Sequence, residues 1–361
     1  MVNNIGYKVK KIGEIIDSSH ESINIVKKMF SDGIYEKESK IIKMLWSTKE
    51  GFSASASIKK STKEIHEISF SYDAASIIYK ESSCLPFICK NKISIEGQNE
   101  IFKDILHKRE ECPALPPILD DEEIIDRIFR STLAWIYLHE QAHLFQCHGE
   151  VENKLINKNS KYSIIEEREL FLDQRFNSIH RHLFELSADY EATQYILPLL
   201  VGADKGELRR GTLWCLVFGL SCLFHRFYRY GGQVVEFKSE GTHPTPALRM
   251  FFVLQSLAEI LKVEQYRKYI PWMQNPQNFS DLIAHATTTA SMFRKVCYQN
   301  SFEEFPFLEN SSNIDSVPDE YLDNLTKSWN IIRPQIESKY FGKSRSCILP
   351  LFEFRDLKKN L

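Results

Sequence analysis

Residues 139 to 143 read His139-Glu140-Gln141-Ala142-His143, an HExxH pattern. On a helix, positions four apart share one face about one turn apart, so both imidazoles can offer a ring nitrogen to a single metal ion. Glu140, beside the first histidine, sits where a carboxylate can take a proton from a water activated by that metal. The chemistry these residue types point to is metal-assisted hydrolysis.

A site with two histidines needs at least one more protein ligand. The longer pattern with a third histidine fails here, because Gln146 stands where its glycine belongs and Gly149 where its histidine belongs. The best remaining source is Glu185-Leu186-Ser187-Ala188-Asp189. Its two carboxylates are four residues apart and share a helix face, so one can bind the metal while the other accepts a hydrogen bond from a ligand histidine and fixes its tautomer. Cys147, His148, His180 and His182 compete as donors; Cys147 reads as a core thiol, and His180 and His182 as surface or supporting residues. A third cluster, Thr242-His243-Pro244-Thr245-Pro246-Ala247-Leu248-Arg249, fixes a histidine just before a proline-initiated helix. That is a rigid way to aim a donor at a carbonyl oxygen, and Arg249 suits either Asp189 or a substrate carboxylate.

These residues need helices to hold them. Asp120 with Glu123 three residues on forms a capping box, and apolar periodicity follows through Ile124, Ile128, Trp135, Leu138 and Ala142 until Gly149 stops it. Further helices are expected over 168–197 ending at Pro198, over 211–230 closed by Gly231-Gly232, and from Pro244 or Pro246 through Lys268. Two more are expected over 281–299 and 318–340, with a solvated loop over 150–161. Upstream, weak helical periodicity covers Ile12 to Met29. Ser53–Lys59 and Ile65–Tyr72 then alternate small, branched or aromatic residues with polar ones around a turn at 60–63, the pattern of a β-hairpin. Three prolines between Cys112 and Ile118 mark a linker. The expected organisation is α+β: an N-terminal region over 1–111 whose small β-sheet lies over the active-site helix and whose hairpin lends the cleft an edge, a mainly helical core over 118–275, and a helical extension over 276–361.

Composition narrows the function. Forty-six Lys and Arg against 48 Asp and Glu give a net charge of -2, so no basic excess points to nucleic acid. The eight cysteines form no CxxC pair and read as buried thiols of a reducing compartment. Met1 to Lys11 lacks the apolar core of a signal peptide, so the cytoplasm is the expected location. The apolar run Thr212–Phe224 is too short for a bilayer span of about 20 residues and reads as a core helix, with peripheral membrane contact left open.

HExxH on one helix, ExxAD on a later one and HPxxxxR after that resemble the order in gluzincin-type metalloendopeptidases such as HtpX and the CAAX prenyl endopeptidases. The wording is closer still to the Lit-type phage-exclusion peptidases: LAWIYLHEQAHLFQCH from Leu133 to His148, ELSADYEATQYIL from Glu185 to Leu197, and THPTPALR from Thr242 to Arg249. A fainter likeness extends over Gly51 to Tyr79. The resemblance covers about half the chain in islands and leaves the polar insertion after Gly149 and the residues beyond about 275 unmatched. It implies a gluzincin-like fold with Zn2+ held by His139, His143 and Glu185, Glu140 as the catalytic acid/base, Asp189 supporting a ligand, and His243 as a transition-state donor. It also implies a protein substrate, elongation factor Tu, cleaved in defence against phage on a phage-derived trigger. Two other classes stand beside this one: a membrane-associated quality-control peptidase anchored by Thr212–Phe224, and a non-catalytic zinc- or partner-binding sensor module.

Overall fold

The computed structural model describes residues 10–60, 64–92, 113–155, 162–166, 178–230, 243–298, 317–350, 354 and 356. The chain opens with α1 (Ile12–Phe30), which buries Ile15, Ile23, Val26 and Phe30 along one face, and with the short α2 (Asp32–Lys37). Three strands follow, β1 (Ile41–Ser47), β2 (Ala54–Lys60) and β3 (Glu64–Ser71), and then α3 (Tyr72–Asn91). Ser71 ends the strand and caps the helix, its hydroxyl accepting from the amide of Ala74 at 3.1 Å. After the proline-rich segment come α4 (Asp121–Phe145), α5 (His148–Leu155), β4 (Tyr162–Glu166), α6 (Ser178–Ala203) and α7 (Glu207–Tyr230). The remaining helices are α8 (Pro246–Leu261), the single turn α9 (Glu264–Arg267), α10 (Pro276–Cys297) and α11 (Asp319–Lys339). The protein is α+β, a small sheet near the N-terminus joined to a mainly helical body.

The expected hairpin is present, β2 running antiparallel to β3 with Ala56 opposite Ile68. Its place in the sheet differs from the expectation. Strand order is β1-β3-β2-β4, so both hairpin strands are internal and the outer positions belong to β1 and β4. β1 pairs with β3 in parallel and β4 with β2 antiparallel. Neither outer strand was expected. β1 is only partly buried along most of its length, so its sequence shows no clean alternation of apolar and polar residues.

α4 is the central helix, packed by α1, α3, α6, α7 and the hairpin strands, and every residue from Ser131 to Phe145 is buried. Its capping box forms as read, Asp120 accepting from the Glu123 amide at 2.8 Å and Glu123 from the Asp120 amide at 3.0 Å. The helix stops at Phe145 rather than Gly149. Cys147 takes a left-handed φ of 50°, which turns the chain into α5, and part of the expected loop is therefore helical. Pro198 lies inside α6 and does not end it; Leu197, Leu200 and Val201 are buried on either side, and that packing offsets the lost backbone hydrogen bond. α8 starts at Pro246 under a Thr245 cap and ends at Leu261, short of Lys268. The turn at 61–63, residues 168–177 of the expected second helix and Gly231-Gly232 lie outside the described residues.

Thr212–Phe224 is buried throughout within α7, against α4, α8 and α10, and no helix among the described residues is long and apolar enough to cross a membrane. Gly219 makes a close approach: a Cβ there would run into the hydroxyl of Thr132 on α4. Two apolar clusters organise the rest. The larger joins α1, the sheet and α3 to one side of the helical body, and the smaller joins α5, α6, α8 and α11 around Trp329.

Candidate metal centre

α4 and α6 pack along their lengths, and α8 packs against α6 and α7. Trp135, His139 and His143 form an i, i+4, i+8 row on α4 facing α6, with the Trp135 and His139 rings stacked at 5.5 Å. Opposite them, Glu185 and Asp189 stand one turn apart on α6. His139, Glu140, His143, Glu185, Asp189 and Arg249 are all buried.

Among the described residues, His139, His143 and Glu185 form the group able to hold a metal ion. The Nε2 atoms of His139 and His143 are 3.1 Å apart, and they lie 3.5 Å and 3.4 Å from the two carboxylate oxygens of Glu185. Metal bonds of about 2.0–2.1 Å at tetrahedral angles put neighbouring ligand atoms about 3.3 Å apart. The two ring nitrogens and the Glu185 carboxylate are therefore spaced as neighbouring ligands of one ion.

The charges around them fit a cation as well. Arg249 binds Asp189 in fork geometry, Nε to Oδ2 at 2.9 Å and Nη2 to Oδ1 at 2.7 Å, and its Nη1 reaches Glu185 at 3.1 Å. Burial opposes ionisation of Glu185, but attraction to His243, Arg249 and His143 holds its carboxyl well below the ordinary range. Asp189 is shifted the same way, burial being outweighed by Arg249. Two buried carboxylates share one guanidinium, so a negative charge is left over where the histidine nitrogens converge.

Asp189 Oδ1 lies 2.9 Å from Nδ1 of His139, which leaves Nε2 of that ring to face His143. Thr193 fixes this part of α6, donating to the Asp189 carbonyl at 2.7 Å while accepting from the indole of Trp135 at 3.3 Å. His243 stands at the start of α8 with Nε2 3.8 Å from Glu185, and at 23% exposure its side chain is the most accessible of the group.

The rival donors fall elsewhere. Cys147 turns its thiol toward the Lys339 carbonyl at 3.5 Å, and burial pushes that thiol up to about 12. His182 pairs through Nδ1 with the Tyr321 hydroxyl at 2.8 Å, and His180 is half-buried. His148 is the exception, because it joins the site from behind. Its Nδ1 lies 2.8 Å from Nδ1 of His143, and burial drives its imidazole down to about 3. Its other nitrogen meets Gln146, and Gln146 meets Glu191, whose carboxyl is pushed up to about 8 by burial. Sequence reasoning missed Gln146 and Glu191 as parts of the site. A signal was present in Glu191, a carboxylate set among Ala188, Ala192, Tyr195 and Ile196 on a helix that buries it.

No protein-family model, curated protein or solved structure matches the chain.

Proposed function

We propose that the protein is a zinc-dependent endopeptidase acting on a cytoplasmic protein. The observation that carries this reading is the buried group of His139, His143 and Glu185, with Glu140 next to the first histidine on the same helix. Two imidazoles and a carboxylate are a donor set used by catalytic zinc sites. When bound there, zinc polarises the scissile carbonyl and lowers the pKa of a water toward about 7.

The chain's own residues supply the rest. His139 and His143 are presented by consecutive turns of α4, so one helix fixes the spacing of both. Glu140 takes the proton from the attacking water and returns it to the leaving amine. His243, partly exposed beside Glu185, donates to the oxyanion that develops on the substrate. Arg249 and Asp189 carry no proton in the reaction and keep Glu185 and His139 in place.

The likeness to Lit-type peptidases directs the substrate reading toward elongation factor Tu and the role toward phage exclusion, with a phage-derived component as trigger. Sequencing new protein termini in cells under phage challenge tests it. The expected result is one dominant new terminus that depends on the intact protein; an unchanged set of termini contradicts the reading. The burial of His139, Glu140, His143 and Glu185 favours one alternative, a non-catalytic zinc module that senses or binds a partner. That module would bind zinc and cleave nothing.

A further inference from the structure

Behind His143 a line of buried polar contacts runs through α5 and α6 to the end of α11. Nδ1 of His143 meets Nδ1 of His148 at 2.8 Å, and Nε2 of His148 meets Oε1 of Gln146 at 2.9 Å. The Gln146 amide nitrogen donates to Oε2 of Glu191 at 2.7 Å and to the Ser187 carbonyl at 3.2 Å. The Tyr340 hydroxyl then donates to Oε1 of Glu191 at 2.8 Å. His143, Gln146, His148 and Glu191 are at most 2% exposed, and the His148 ring stacks on Phe184 at 4.6 Å.

The directions of the hydrogen bonds from Gln146 to His143 follow from one fixed point. The Ser187 carbonyl can only accept, so the end of Gln146 facing it is the amide nitrogen and the opposite end is the oxygen. With that orientation the Ser187 hydroxyl donates to the oxygen at 2.6 Å. An amide oxygen can only accept, so Nε2 of His148 carries the hydrogen. A second hydrogen on His148 would make a buried cation whose two nitrogens meet only an amide and another imidazole, so Nδ1 is bare. It must then accept from His143, whose Nδ1 carries the hydrogen and whose Nε2 keeps its lone pair. That lone pair faces Glu185 and Nε2 of His139.

We propose that Tyr340, Glu191, Gln146 and His148 form a positioning relay that locks His143 in its Nδ1–H tautomer and so presents Nε2 to the metal. The proposal rests on the metal-centre reading and extends it. It gives the C-terminal extension a task, because Tyr340 follows α11 directly and the Phe341 amide donates to the Phe145 carbonyl at the end of α4. The two ligand histidines are thus oriented by different devices: His139 by a carboxylate that Arg249 grips, His143 by a neutral chain that ends on a carboxyl group.

Two readouts on full-length protein test the relay. In metal-free protein labelled with 15N-histidine, long-range proton–nitrogen correlations should show His143 as the Nδ1–H tautomer and His148 as Nε2–H. Zinc affinity by chelator competition should fall about 10- to 100-fold in His148→Leu, the range found for residues that orient ligands. It should recover largely in His148→Asn, whose Oδ1 can stand where Nδ1 stood. Tyr340→Phe removes only the far hydroxyl and provides a folded variant if the substitutions at His148 perturb folding; it should weaken zinc by a smaller factor. An Nε2–H tautomer at His143, or unchanged zinc affinity in folded His148→Leu and Tyr340→Phe, overturns the relay while leaving the metal centre standing. Failure of the wild-type protein to bind zinc overturns the metal-centre reading itself and the relay's task with it.

Discussion

Nδ1 of His139 lies 2.9 Å from Oδ1 of Asp189, an oxygen that also accepts from Nη2 of Arg249 at 2.7 Å. One carboxylate therefore joins a metal-ligand candidate on α4 to a buried cation on α8. Asp189→Ala removes the acceptor that fixes the tautomer of His139 and should weaken zinc binding about 10- to 100-fold by chelator competition. It also leaves Arg249 with Glu185 as its remaining ion-pair partner among the contacts described, and breaking such a buried pair should cost about 3–5 kcal/mol in denaturant unfolding. Unchanged values for both would remove Asp189 from the site.

His243 is closer to solvent than the ligands and 3.8 Å from Glu185, which suits a donor to the substrate better than a ligand to the metal. His243→Ala should keep full zinc content and lower kcat by about 10² to 10³, with KM little changed, because such a donor acts mainly in the transition state. Loss of zinc in this variant would make His243 a ligand.

Glu191 keeps its proton to about pH 8 in the folded protein, burial being the main cause, and loses it near the ordinary 4.5 when unfolded. Between those values the folded state binds the extra proton, so this group's contribution to stability falls as pH rises. His148 acts in the opposite sense, its folded value of about 3 lying below the ordinary 6.5, and its effect is complete above pH 6.5. In zinc-free protein the stability of the wild type should therefore decline from pH 6.5 to 8 by about 2 kcal/mol through Glu191. Glu191→Gln should flatten that decline, and equal slopes in the two proteins would contradict the assignment.

α4 and α7 meet where Gly219 faces Thr132, whose hydroxyl donates to the Ile128 carbonyl at 2.7 Å. Gly219→Ala gains up to about 1 kcal/mol of helix propensity but overpacks the contact, so a net loss of about 1–2 kcal/mol is expected in denaturant unfolding. The double variant Gly219→Ala/Thr132→Ala should recover part of it, since the colliding hydroxyl is gone. A fully additive double variant would locate the strain elsewhere.

The helix that carries the site could be read from sequence because its signals are local. Asp120 and Glu123 cap it, and His139 with His143 repeat at the helical interval. Glu185 and Asp189 obey the same interval, and a proline pair places His243 ahead of α8. What escaped depends on tertiary neighbours. α3 carries Pro86 and the pair Ser82-Ser83, and it stays helical because Ala75, Ile78, Tyr79 and Leu85 are buried in the core. β1 and β4 are outer strands whose pairing is set by the hairpin between them. Gln146 was legible only as the residue that spoils a longer zinc pattern, and its part in the site follows from meeting Glu191 on another helix. The same holds for Tyr340, far along the chain in a segment that no local motif tied to α4.

Metal-assisted hydrolysis driven by Glu140 is tested by scoring cleavage against zinc content on the same preparations of Glu140→Gln. The substitution keeps the helix and the side-chain size while removing the proton acceptor. New termini generated by the wild-type protein should vanish in this variant while elemental analysis still finds zinc at the wild-type stoichiometry. Undiminished cleavage by a zinc-loaded Glu140→Gln protein would rule out Glu140 as the proton acceptor.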